Sequence, residues 1–316
     1  MPKLKPNKPV RRLAKATRAP RSYNPGNPPD LDHHESVLIG LTDPFSSEAA
    51  AAKYPDQGSG RTLTFQQRFS FAVSTDTSGA AVLAFNPKVN FPILGAASVA
   101  SNIATWPATW SSAGDATTNL VNVHGATYRP TSFGFRASNT MSATDSAGYL
   151  VIAKGGSPIL SSTTTISAGT MTSFDSHPLV HGGEWHSVGN PRSATAYEMR
   201  NVSGYNVNTY PADDTWETVY LAVFGSKISS PVLFIELYVN YEYSAKEDSS
   251  IAQLATSQPV LDIQMQTAIN AVQSSHPASH KGAQSVVKNF IRKEGKKALL
   301  KHVLPWVARK ATMALA

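Results

Sequence analysis

Two groups of side chains in this 316-residue chain are of the types that metal chemistry needs. Asp213-Asp214 lies in a polar stretch just before an apolar one. Neighbouring carboxylates suit a hard cation such as Ca²⁺, with a second subunit completing the shell of oxygens. Asp43, Asp56 and Glu217 are further oxygen donors that could contribute. The plainer reading is a solvated turn, where Asp is favoured anyway. His177, His181, Glu184 and His186 form the second group, and His33-His34-Glu35 is a weaker version of it. Zinc accepts such ligands. With no Cys and no helical spacing, however, a surface or interface role is the better reading. There is no P-loop, dinucleotide fingerprint, nucleophile elbow or zincin motif, so the residue pattern does not point to an enzyme.

The strongest signal is charge. Residues 1–21 carry eight basic side chains (Lys3, Lys5, Lys8, Arg11, Arg12, Lys15, Arg18 and Arg21) and no acid. Residues 276–316 carry nine, among them Lys288, Arg292, Lys293, Lys296 and Lys297, against the single acid Glu294. The 22–275 stretch holds 11 basic and 20 acidic residues, so the chain reads +8, −9, +8, giving the net +7. Basic ends on an acidic body are arms that meet a polyanion. Such an arm releases counterions from nucleic acid without reading its sequence. A solubility tail or a localisation signal is the plainer alternative.

The elements around these residues are mostly strands. Seven prolines and few large apolar side chains in residues 1–30 predict a disordered arm. Residues 31–60 read as a linker, with a short helix over Ser46–Lys53 capped by Ser46 or Ser47. From Arg61 the pattern alternates. Leu63, Phe65, Phe69, Phe71 and Val73 fall on one face of a strand over Thr62–Thr75. Further strands are predicted at Ala80–Phe85, Thr127–Ala137, Thr140–Thr144, Tyr149–Lys154, Glu217–Phe224 and Pro231–Ser244, with weaker ones at Thr163–Phe174 and Ser193–Met199. Residues 95–125 read as a long loop. In the Pro231–Ser244 strand, Leu233, Ile235, Leu237, Val239 and Tyr241 share one face, and Glu236, Asn240 and Glu242 the other. With no βαβ rhythm, the fold expected over 61–245 is all-β, a single eight-stranded jelly-roll sandwich. Residues 246–316 are expected to be helical and basic. Leu261, Met265, Ala268, Ile269 and Val272 form one apolar stripe. A second amphipathic segment from Lys281 sets Phe290, Ile291, Leu299 and Trp306 against its Lys and Arg side chains, as an interfacial membrane helix would. No secretory signal or membrane span is expected.

Several motifs, in order, carry a family resemblance. Thr42-Asp43-Pro44-Phe45 and Lys53-Tyr54-Pro55-Asp56 resemble the approach to the shell domain in nodavirus and tombusvirus-like capsid proteins. Tyr128 to Arg136 (YRPTSFGFR), Gly182-Gly183-Glu184-Trp185 and Ile235 to Glu242 (IELYVNYE) are similar to segments of the same group. The resemblance implies an icosahedral coat protein of a small non-enveloped RNA virus, in virions assembled in the host cytoplasm. Its partners would be itself, the genomic RNA and a host membrane, with the C-terminal helix either docked under the shell against RNA, the favoured role, or meeting the membrane. A T=3 shell of roughly 180 copies, with about +16 of tail charge each, would balance much of a genome of a few thousand nucleotides. It also implies Ca²⁺ at subunit interfaces, through Asp213 and Asp214. One reaction comes with it, self-cleavage after an Asn assisted by a buried carboxylate. Asn270-Ala271 is the matching bond and Asp43 or Asp56 the matching acid, with Asn289-Phe290 a second match. The plainer reading leaves Asn270 an ordinary helical Asn. A β-sandwich binding module of lectin or adhesin type, with basic tails, is the alternative to the whole scheme.

Overall fold

The computed structural model describes residues 31–55, 60–100, 103–111, 123–165, 171–202 and 214–258. Its long strands are β1 (Arg61–Ser74), β2 (Ala81–Phe85), β6 (Gly125–Asn139), β7 (Tyr149–Gly155), β9 (Met171–Pro178), β10 (Glu184–Gly189), β12 (Thr218–Phe224) and β13 (Pro231–Ala245). Short ones are β3 (Ile93–Gly95), β4 (Ser98–Ala100), β5 (Ile103–Thr105), β8 (Thr163–Thr165), β11 (Arg200–Asn201) and β14 (Thr256–Ser257). Two helices precede them, α1 (Leu31–Thr42) and α2 (Ser47–Ala50).

The eight long strands pair in a nested way. The first pairs with the last (β1 with β13), β2 with β12, β6 with β10, and β7 with β9, all antiparallel. Two sheets result, ordered β10-β6-β13-β1-β14, with β11 also on β6, and β3-β2-β12-β7-β9. Their inner faces share one core. Phe69, Phe133, Phe135, Ile235 and Leu237 come from the first sheet and Phe85, Ile152, Val219 and Leu221 from the second. The alternation in the sequence places these side chains. Phe65, Phe69, Phe71 and Val73 sit opposite Tyr241, Leu237, Ile235 and Leu233 in register.

The second sheet is also buried on its outer face. Ala80, Val82, Ala84, Val151, Ala153 and Ala222 pack there against Trp106, Trp110, Val99 and Ala104. The small sheet β4-β5-β8 supplies that layer. The 95–125 region is therefore not a plain loop, and the alanines of the central strands let the extra layer approach closely.

Other expectations change as well. Thr140–Thr144 is a turn, because the Asn139 carboxamide accepts from the Met141 amide and Ser146 bonds back to Ser142. Ser193–Met199 holds a 3₁₀ turn, Ala194–Tyr197, in place of a strand. Thr163–Phe174 divides between β8 and β9, which belong to different sheets. In the 31–60 linker the Ser46 hydroxyl caps α2, accepting from the Ala49 amide at 3.1 Å. The longer helix α1 is an addition. Its composition is poor for a helix, with Val37, Ile39 and Gly40 in its second half. Burial of Val37 and Leu41 in the main core stabilises it. Helices expected beyond residue 258 lie outside the described residues. Among the described residues no helix is long and apolar enough to cross a membrane.

One buried cation gives a pH signature. Lys88 is 2 % exposed in the turn after β2, and burial pushes its ammonium down to about 8. The Tyr241 hydroxyl donates to its backbone carbonyl at 3.3 Å. Between about pH 8 and 10.5 the unfolded chain keeps a proton that the folded chain has released, so stability rises with pH across that window. The difference between wild type and Lys88→Met should move by about 1–3 kcal/mol in favour of wild type from pH 7.5 to 10.5. Denaturant melts at both pH values check this, and a constant difference would refute it.

Candidate functional site

A single buried carboxylate gathers the segment before β1, the start of β1, the middle of the sheet and the last described residues. Glu242, on the outer face of β13, is fully buried. Arg129 of β6 meets it with Nε at 2.9 Å and Nη2 at 2.8 Å from Oε2. This pairing depends on an irregularity. Asn240 faces Ser132 but Tyr241 faces Pro130, so Thr131 is an extra residue in β6. Such a bulge reverses which side chains point outward. Without it, Arg129 would share the core face with Phe133 and Phe135.

The remaining bonds hold chain ends. Glu242 Oε2 also accepts from the Tyr54 amide at 2.9 Å, and Oε1 from the Thr62 hydroxyl at 2.5 Å and Gln258 Nε2 at 3.0 Å. Arg129 donates to the carbonyls of Tyr54 at 2.6 Å and Tyr197 at 2.8 Å. The Tyr54 and Tyr197 rings stack with centroids 3.7 Å apart. Lys53, 6 % exposed, donates from Nζ to the Thr62 carbonyl and, at 2.7 Å each, to the carbonyl and hydroxyl of Thr256. Desolvation lowers its pKa, while the charge of Glu242 opposes that shift. The carboxylate thus accepts from Arg129, Tyr54, Thr62 and Gln258, so both of its oxygens are engaged. What the arrangement does in the structure is hold segments of the chain together.

Two further contacts on the same face fix the lead-in segment. Asn240 Nδ2 donates to the Pro44 carbonyl at 2.9 Å and the Ser132 hydroxyl at 2.8 Å, and its Oδ1 accepts from Gln66. The Phe45 ring lies 4.2 Å from the Arg136 guanidinium and packs edge-on to Tyr238. Gly134 makes room for this. A Cβ there would lie 2.8 Å from Pro44 and 3.2 Å from Phe45. Beyond Tyr238 the outer face is open, a shallow cleft of about 250 Å³ lined by Arg136, Glu184, His186, Phe234 and Glu236.

The motifs behind the family resemblance converge here. Lys53-Tyr54, Arg129 and Glu242 come from three of them and meet at one point, while Asp43-Pro44-Phe45 supplies the neighbouring contact. Their role is what the sequence reading missed: Arg129 and Glu242 both fall within expected strands, and the one signal is the charge of Arg129 on the apolar phase of its strand.

Those of the residues expected to do chemistry that fall among the described residues are not gathered. Asp43 is half-buried, and its Oδ1 has no hydrogen-bond partner. Asp56, Asn270, Ala271 and Asn289 lie outside the described residues, as do the basic residues of both arms and Phe290, Ile291, Leu299 and Trp306. Asp214 is exposed, and Asp213 lies outside the described residues. Glu217 is engaged by Lys154 Nζ at 3.8 Å and by the Asn190 amide at 3.2 Å. Among the described residues no three His, Asp or Glu side chains converge on one point. The histidine group is split between sheets. His177 on β9 pairs with Asp175, His181 Nδ1 donates to the Met141 carbonyl, and Glu184 and His186 lie on β10. Residues 184–189, absent from the strands the sequence predicts, form one.

No protein family and no curated protein matches the sequence. Solved structures do match in fold. The infectious bursal disease virus Gx strain structure aligns with TM-score 0.52 at 8 % identity, over 75 % of this chain and 93 % of that one. A VP2 subviral particle of the same virus aligns with TM-score 0.51 at 7 % identity, over 75 % and 93 %. Its T=1 particles align with TM-score 0.50 at 6 % identity, over 76 % and 90 %. The chain therefore shares the fold of these infectious bursal disease virus particle structures.

Proposed function

We propose that this chain is the coat subunit of a small non-enveloped RNA virus, a structural protein that assembles with copies of itself into a closed icosahedral shell. The nested pairing of eight strands in two facing sheets supports the reading most, because a jelly roll would pair its strands in that nested way. The outer face of the β1–β13 sheet carries both the lead-in from the N-terminal arm and the exit toward the C-terminal one. That arrangement fits two arms serving one polyanion, the packaged RNA, on one side of a wall. The proposal extends to a T=3 shell of roughly 180 copies, assembled in the host cytoplasm, whose arms are Lys3 to Arg21 and Lys288 to Lys297. Negative-stain imaging and the 260/280 nm absorbance ratio test it. Uniform closed particles containing nucleic acid are the expected result. Small soluble oligomers without nucleic acid would overturn it and favour a lectin- or adhesin-like module.

Three finer readings follow from the family resemblance. Interface calcium at Asp213 and Asp214 would need oxygens from a neighbouring subunit. Chelation should then swell the particles, and an unchanged sedimentation coefficient would count against the ion. Cleavage after Asn270 should leave a particle subunit lighter by Ala271–Ala316, so an intact mass would exclude it. A membrane-active helix around Phe290 and Trp306 should release dye from anionic lipid vesicles, and a peptide of 281–316 that causes no release would end that idea.

A further inference from the structure

The last described strand is weakly held by everything except one lysine. β14 has two residues, both exposed, and among the described residues it pairs only with Arg61 and Thr62. So short a strand is marginal by itself. The 3₁₀ turn before it, Ala252–Leu254, contains no buried residue, and Leu254 is 68 % exposed. Apart from buried Ala255, its attachment is polar. Gln258 bonds through its amide to the Gly60 carbonyl at 3.1 Å and through its side chain to Glu242, and Lys53 makes two charge-assisted bonds to Thr256. Lys53 has a third acceptor in the Thr62 carbonyl, so all three ammonium protons are used. Its own position is set by Tyr54, which Glu242 and Arg129 grip by the backbone.

We propose that Lys53 is a latch, through which the segment preceding β1 holds the C-terminal exit strand on the body. Displacing residues 53–55 withdraws both Lys53 bonds from Thr256 and exposes the Glu242 bond of Gln258 to water. The chain from Thr256 onward then peels away while the sandwich stays folded. The coupling is reciprocal: pulling the exit strand off loosens the lead-in by the same factor. In a coat subunit, this would let an event at one basic arm release the other. That consequence rests on the capsid reading; the latch does not.

Hydrogen exchange on the full chain tests it. In Lys53→Met, amides of Ala255–Gln258 should exchange tenfold or more faster, with those of β12 and β13 unchanged. Thr256→Val removes only the hydroxyl acceptor and should give a smaller acceleration confined to the same residues. The latch is overturned if both variants leave 255–258 at the wild-type rate. It is equally overturned if β13 accelerates in step, since Lys53 would then support the whole sheet. The measurement works on soluble subunits, so a chain that forms no particles would sink the capsid reading and still report on the latch.

Discussion

Replacing Glu242 with Ala should destabilise the folded subunit by about 3–5 kcal/mol, the largest loss expected from any single substitution outside the hydrophobic core. The reason is what stays behind. Arg129 is 1 % exposed and would keep its charge without its counter-ion. Its bonds to the carbonyls of Tyr54 and Tyr197 would persist, and these are too weak to offset desolvation of a guanidinium. The Tyr54 amide, the Thr62 hydroxyl and Gln258 would lose an acceptor at the same time. Arg129→Met should cost a similar amount for the converse reason. The double variant Arg129→Met/Glu242→Leu should lose clearly less than the two losses added, because neither charge is then stranded. Denaturant unfolding of the four proteins checks this. If either single variant stays within about 1 kcal/mol of wild type, the junction does not hold the chain ends. Hydrophobic positions of the inner face serve as the comparison. Leu237→Ala should lose a similar amount through cavity formation, without coupling to Arg129.

Much of this architecture can be read in the residues, and the part that cannot has definite causes. Period-two alternation in 61–74 and 231–245 identifies the two central strands and their core faces, because one-sided burial imprints that period. The central strands of the other sheet are legible as strands but not as doubly covered ones. Tyr220 and Ala222 look compatible with a solvated face until Trp106 and Trp110 are found against them. The short strands around residue 100 have no period, being three residues each. α1 is invisible because packing and not propensity stabilises it. The Glu242 site is hidden for a sharper reason. Counting by two from Phe133 sends Arg129 into the core, and only the bulge at Thr131 turns it outward to its partner. A charged residue on the apolar phase of a strand is the one trace left in the sequence. Such a residue signals either a bulge or a buried pair, and here it signals both.

Removing residues 1–30 should flatten the salt dependence of RNA binding by about five units in the slope of log K against log salt. The arm holds eight cationic side chains and no acid within its first 21 residues. Eight phosphate contacts on a single strand give a slope near −5.6, so raising salt from about 50 to 200 mM should weaken the wild-type contribution about 10³-fold. Seven prolines among the first 30 residues oppose a regular helix, and Tyr23 is the single aromatic there, so the sequence predicts neither a fixed groove reader nor a stacking platform. Two unrelated single-stranded RNAs of equal length should therefore bind alike. Lys→Arg exchanges within the arm should leave the slope unchanged, since charge and not shape sets it. Filter binding across the salt range measures all of this. The deletion should also lower the 260/280 nm ratio of any particles formed while sparing the fold, because the bonds described at the Glu242 junction come from residue 53 onward. A deletion variant with the wild-type slope would show that the arm does not meet the polyanion, and the C-terminal arm would then carry the contact alone.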